Sequence, residues 1–293
     1  MTTPSSSRAA RFAAFSLGVA LVAAPSATAA PAVPGSAPVL THGVGLTPPV
    51  TPTATATARA KLKVTIKRTS GYRLQTGTRS TFTGTAPRKT FKGNKVTLQR
   101  KVGNGAWVNV ASAKVSSKGT YSVSGITTGV GVNSWRTFGV VPKTKKKKAY
   151  NVVSPVQAMW SLQWFYLYDL GRVNSYGWSH ASTSIAGRAF SRSVGSYYDR
   201  RSGWGEYNLG YKCDEFRAEI GLRDDSETGA VRRFVASLDG AETSLGDKGL
   251  GSVTSVRIDT RTRFRLRLDV VDVSNPDGWG YYGNARILCQ SKP

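Results

Sequence analysis

The chain has 293 residues, 41 Lys and Arg against 16 Asp and Glu, a formal charge of +25, two Cys and two His. Two histidines exclude a multi-His metal centre and leave little for a Ser-His-Asp triad. The charge is confined: residues 59–150 hold 21 basic residues and no acid, whereas residues 151–293 hold 18 basic and 16 acidic residues. A segment without acids cannot neutralise its own field by internal ion pairs, so it either meets an anionic surface or tolerates self-repulsion.

Residues 1–29 read as a signal peptide. Arg8 and Arg11 form a positive n-region, Phe12 to Ala24 is an apolar stretch of 13 residues, and Ala27-Thr28-Ala29 is a small-x-small cleavage site. A single-pass anchor is the rival reading, but the stretch is short for a membrane span and no second hydrophobic segment follows. The expectation is a secreted protein with no transmembrane segment after cleavage. Residues 30–58 are rich in Pro, Ala and Thr without hydrophobic period, and read as an extended linker. Cysteine usage agrees with export. A Cys213–Cys289 bridge in an oxidising compartment would close a loop of about 76 residues, and no CxxC motif supports a redox role.

Residues 59–153 alternate as strands do. Leu62, Val64 and Ile66 interleave with Lys61, Lys63, Thr65 and Lys67, and Val96 and Leu98 with Thr97 and Gln99. Gly103-Asn104-Gly105 and Ser116-Ser117-Lys118-Gly119 are turn signals. About seven short strands at this spacing indicate a sandwich. The run VTLQRKVGNGAWVNVASAKVSSKGTYSVS, Val96 to Ser124, resembles the Ig-like modules of secreted actinobacterial proteins. Such modules act as spacers or adhesion units. Here the solvent positions are Lys and Arg, which points to a polyanion partner such as teichoic acid or an acidic polysaccharide, bound in a salt-sensitive way. Lys143, Lys145, Lys146, Lys147 and Lys148 end the segment, as a hairpin tip or as a linker, and are the leading polyanion contacts. Nucleic acid is not expected: no helix-turn-helix, zinc-finger, RNP or KH pattern occurs, and the export signal argues against it.

Residues 156–293 alternate as well, most clearly in Phe264 to Val270 and Phe216 to Leu222, with Asp239-Gly240 as a turn. The whole is expected to be all-β, an Ig-like sandwich followed by a jelly-roll β-sandwich. The order of Tyr166-Leu167-Tyr168-Asp169-Leu170, Ile185-Ala186-Gly187-Arg188, Glu206-Tyr207-Asn208-Leu209-Gly210, Cys213 to Asp225, Leu238-Asp239-Gly240 and Gly283 to Cys289 resembles the NPCBM family of carbohydrate-binding modules. The resemblance implies a non-catalytic carbohydrate-binding protein whose partner is a cell-wall glycan or other polysaccharide. It also implies the Cys213–Cys289 bridge. This chain departs from the family pattern at Tyr197, where members carry His, and at Tyr282 and Asn284, where members carry Trp and Asp.

A pyranose offers one apolar face and a rim of hydroxyls, so aromatic platforms and polar rim groups are the residues to seek. Trp178, Tyr197, Trp204, Trp279, Tyr281 and Tyr282 are the platform candidates, and Asp277, Asn284 and Arg286 the rim candidates. The cluster Asp277-Gly278-Trp279-Gly280-Tyr281-Tyr282-Gly283 reads as an exposed aromatic loop, on the argument that three aromatics among three glycines cannot all pack inward. Trp178 reads as a platform or as a sandwich cap. No catalytic centre or cofactor is expected. Asp224, Asp225 and Glu227 form a turn and offer hard oxygen ligands that suit calcium, but in no calcium-loop spacing. The competing expectation is an adhesive wall protein, held by its basic half to anionic polymers, with no working sugar site.

Overall fold

A computed structural model describes residues 63–197 and 201–293. The expected signal peptide and linker lie outside the described residues. The described residues form one compact unit. Its strands are β1 (Lys67–Arg68), β2 (Arg73–Gln75), β3 (Arg79–Thr85), β4 (Lys95–Val102), β5 (Val108–Lys114), β6 (Thr120–Ile126), β7 (Gly131–Val141), β8 (Tyr150–Val153) and β9 (Gln157–Tyr166). They continue as β10 (Asn174–Tyr176), β11 (Trp178–Ile185), β12 (Arg188–Ser196), β13 (Gly203–Asn208), β14 (Cys213–Leu222), β15 (Val231–Leu238), β16 (Ala241–Gly249), β17 (Val253–Asp259), β18 (Arg265–Asp272) and β19 (Gly280–Cys289). Among the described residues helix is confined to single turns at Arg88–Phe91 and Leu167–Asp169. The fold is all-β, as the alternation predicts.

The basic half is a sandwich. A three-stranded sheet, β1-β3-β6, packs Phe82, Tyr121 and Val123 against Val96, Leu98 and Trp135 of the sheet that contains β4, β5 and β7. The second half is also a sandwich. A five-stranded sheet, β10-β13-β18-β15-β16, turns Phe234, Leu266, Leu268 and Val270 towards Phe216, Ile220, Tyr282 and Ile287 of β14 and β19. The alternation read in 264–270 is the burial of Leu266, Leu268 and Val270 in β18.

One strand belongs to both halves. Gln157 to Ser161 of β9 pairs antiparallel with β7, and Gln163 to Tyr166 pairs antiparallel with β19. An eleven-stranded sheet therefore runs through the molecule along β11-β12-β19-β9-β7-β4-β5, with β14 on the far side of β19 and β17 beyond it. The step between the halves is fixed too: the Ser154 N–H donates to the Thr137 carbonyl at 2.8 Å, and its hydroxyl accepts the Thr137 N–H at 2.9 Å. Among the described residues no helix is long and apolar enough to cross a membrane.

Cys213 and Cys289 are directly opposed across β14 and β19 and form a disulfide. It ties the first residue of β14 to the last residue of β19.

The second core holds two tyrosines whose phenols are sealed from water. Burial pushes Tyr207 up to about 12, opposed by a hydrogen bond from the Trp178 indole, and pushes Tyr282 well above its ordinary 10.0. Below pH 10 these groups are protonated in both the folded and the unfolded chain. Above it the unfolded chain ionises first, so stability falls as pH rises from about 10 towards 12. Alkaline titration followed by tyrosinate absorbance and circular dichroism is expected to show late tyrosines that ionise only with loss of fold. Free titration of every tyrosine near pH 10 in the folded protein would contradict this packing.

Candidate functional site

The expected aromatic loop is a strand from Gly280 onward, with Asp277, Gly278 and Trp279 leading into it outside any strand. Gly280–Cys289 is β19, the central strand of its sheet, and it is buried on both faces where the aromatics lie. Tyr282 is fully buried against Phe216, Phe234 and Trp178, and its hydroxyl donates to the Val235 and Asp269 carbonyls, both at 2.9 Å. Tyr281 points to the opposite face, 2% exposed, into a small cluster with Ile185 and Phe190. The glycines give close approach rather than looseness. A Cβ on Gly280 would lie 2.6 Å from Val270, and one on Gly283 2.8 Å from the Phe190 ring. Three aromatics among three glycines do pack, because the sheet has a core on each side.

Trp178 is core as well, 4% exposed, with its indole N–H donating to the Tyr207 hydroxyl at 3.1 Å. Tyr281, Tyr282 and Trp178 are therefore not sugar platforms. Trp279 is half-buried at the edge of the small cluster, with the Arg223 guanidinium 5.4 Å from its ring centre. Trp204 is half-buried beneath Arg267, at 4.2 Å. Tyr197 is exposed, next to residues 198–200, which lie outside the described residues. Asp277 pairs with Arg201.

The three turn carboxylates are each engaged separately. Asp224 accepts the Gly187 N–H at 3.0 Å, Asp225 accepts Arg223 Nε at 2.6 Å, and Glu227 accepts the Asp277 N–H at 2.8 Å. Among the described residues no group of three or more His, Cys, Asp or Glu is placed to hold a metal.

The lysine run is a hairpin tip. It joins β7 to β8, closed by the Thr144 N–H on the Lys147 carbonyl at 2.9 Å, and Lys143 and Lys145 to Lys148 are all exposed. Elsewhere in the basic half a few cations rest on rings or carbonyls. Arg136 lies 4.1 Å and Lys101 5.7 Å from the Trp107 ring centre, and Arg100 donates to the Ile126 carbonyl. Among the described residues of this half, Arg73 alone forms an ion pair, and its partner Asp214 belongs to the other half.

The outer face of the second half carries a feature that the sequence reading missed. In β9, Met159 and Phe165 turn to the two cores, so Trp160, Leu162, Trp164 and Tyr166 share the opposite face. Strand register then sets Arg257, Arg217, Arg286 and Tyr166 in one row across β17, β14, β19 and β9. The Arg217 and Arg286 guanidinium groups lie 5.1 and 5.0 Å from the Trp164 ring centre, and Arg192 lies 4.7 Å from that of Tyr166. The local signal was Trp164-x-Tyr166 at strand spacing.

Two depressions open on this face. The first, about 330 Å³, has its cations matched: Arg73 with Asp214, Arg257 with Glu215, Arg261 with Asp259. The second, about 270 Å³, is lined by Arg188, Arg217, Glu219, Ser255, Asn284 and Arg286 among others. It forms where β19 bulges against β14 between Gly283 and Arg286, with Asn284 in the left-handed region at φ 47°. Glu219 accepts the Ser255 hydroxyl at 2.8 Å, and Arg217 pairs with Glu215. Arg188 and Arg286 have no carboxylate partner among the described residues, so positive charge is in surplus here.

These features define the class: an all-β protein of two sandwiches sharing one strand, cross-linked by a disulfide, with cation-rich surfaces on both halves. No protein-family model matches the chain, and no curated protein matches it significantly.

Proposed function

We propose that this protein is an extracellular, non-catalytic adhesion protein that holds anionic wall polymers or acidic polysaccharides through its basic half. One observation carries the reading: between residues 63 and 150 there is no acid, and of the cations there only Arg73 ion-pairs among the described residues. The remaining charge is available to a polyanion, and the five lysines of the β7–β8 tip are its densest exposed patch. The disulfide supports an oxidising compartment. The NPCBM-like order of motifs supports a glycan as the polymer. The burial of Tyr281, Tyr282 and Trp178 favours charge over aromatic stacking as the means of binding.

Replacement of Lys143, Lys145, Lys146, Lys147 and Lys148 by Gln tests this on the full chain. Affinity for purified teichoic acid is expected to drop. The slope of log affinity against log salt is expected to flatten by about 0.7 to 0.9 for each lysine in contact. Unchanged affinity and slope would remove the tip from the interface.

A further inference from the structure

The cleft at the β19 bulge has the makings of a ligand site rather than a surface irregularity. Arg217 and Arg286 face each other directly across β14 and β19, and like charges in that position oppose sheet pairing. Glu215 neutralises Arg217, whereas Arg286 has no carboxylate partner among the described residues. Arg188 enters from β12 and also lacks a carboxylate. Asn284 adopts a backbone conformation that disfavours most side chains, and its amide makes no hydrogen bond within the protein among the described residues. Trp164 lies beside the cleft, with the Arg217 and Arg286 guanidinium groups 5.1 and 5.0 Å from its ring centre, within cation–π range. The one carboxylate in the cleft, Glu219, accepts the Ser255 hydroxyl and keeps its charge, against the three guanidinium groups of Arg188, Arg217 and Arg286.

We propose that this cleft binds the anionic group of a single acidic sugar unit, with Arg286 and Arg188 pairing the anion and the Asn284 amide contacting a neighbouring hydroxyl. The shared chemistry is a glycan-borne anion, whether the carboxylate of a uronic acid or the phosphate of a wall polymer. The inference takes from the proposed function only that the partner is an anionic glycan. It adds a specific contact to the diffuse one of the basic half. A forked guanidinium matches a planar carboxylate or a phosphate bidentately, which a lysine tip does not.

The test uses the full chain and short probes that cannot span both halves: a glucuronic acid disaccharide, glycerol phosphate, and a neutral galactose disaccharide. Binding is read from the Trp164 indole N–H resonance, assigned by its loss in Trp164→Phe. One or both acidic probes are expected to shift it, and the neutral probe is not. A glucuronate response assigns acidic polysaccharide, and a glycerol phosphate response assigns a phosphate polymer. Arg286→Gln is expected to weaken binding by about tenfold or more, the scale of a charge-assisted hydrogen bond. Asn284→Gly relieves the backbone and removes only the amide, so it reads the ligand contact even if the arginine variant folds poorly. It is expected to weaken binding without lowering thermal stability. The five-lysine tip variant is expected to keep probe binding while losing polymer affinity, which separates failure of this site from failure of the basic half. An equal response to the neutral probe, no response to either acid, or binding untouched by both cleft variants would overturn the proposal.

Discussion

Arg232→Met is expected to destabilise the second sandwich by about 3–5 kcal/mol, the usual consequence of removing one partner from a buried charge network. The Arg232 side chain is completely buried, yet every direction of its guanidinium is used. Nε donates to the Gly278 carbonyl at 3.0 Å, Nη1 to that of Val231 at 2.8 Å, and Nη2 to that of Pro276 at 3.1 Å. Asp272 supplies the counter-charge at 2.8 Å. Arg232 thus stitches β15 to the segment that leads from β18 into β19. Methionine fills much of the volume but leaves the Gly278 and Pro276 carbonyls without their donor, and Asp272 with only the Ser274 N–H at 3.3 Å and Arg201 at 3.9 Å. Lysine keeps the charge without the fork, so Arg232→Lys is expected to rescue only part of the loss. Urea unfolding of both variants measures this. A loss below about 1 kcal/mol for Arg232→Met would show that water replaces the guanidinium at little cost.

The second large effect is expected from the disulfide. Replacing Cys213 and Cys289 by Ala frees a loop with a sequence separation of 76, and the chain-entropy argument assigns the bridge about 4 kcal/mol. Against a total stability of about 5–15 kcal/mol this is a large share. The position adds to the effect. Cys289 pairs with Gln163 of β9 on its other side, so the bridge stands where β14, β19 and the shared strand meet. Both half-cystines are buried, at 1% and 0% exposure. Reduction is therefore expected to require opening of the fold, and thiol trapping at rising urea concentration follows it. Rapid trapping of both thiols in native buffer, or a double variant as stable as the parent, would contradict the role.

Much of the fold was legible because alternation is a local signal. Leu266, Leu268 and Val270 announce the inner face of β18 within seven residues of sequence. The lysine run sits between two strand patterns, and its turn follows from its polarity. The aromatic segment misled for a physical reason. Glycine in sequence reads as freedom, whereas at Gly280 and Gly283 it answers crowding from Val270 and Phe190. That crowding comes from strands far away in the chain. The same holds for the cleft. Arg217, Arg257 and Arg286 become neighbours only through the register of β14 with β17 and β19, which no local pattern encodes. The division into two halves was visible as a change of charge, but the strand they share was not, since β9 spends its first residues on one partner and its last on another.

The unpaired charge of the basic half is tested most directly by the salt dependence of polymer binding. The affinity of the full chain for poly(glycerol phosphate) is followed as salt rises from about 50 to about 200 mM, beside a neutral dextran of equal length. The expected result is a steep linear fall of log affinity with log salt for the anionic polymer and no binding to dextran. Affinity indifferent to salt, or equal for the two polymers, would contradict the account.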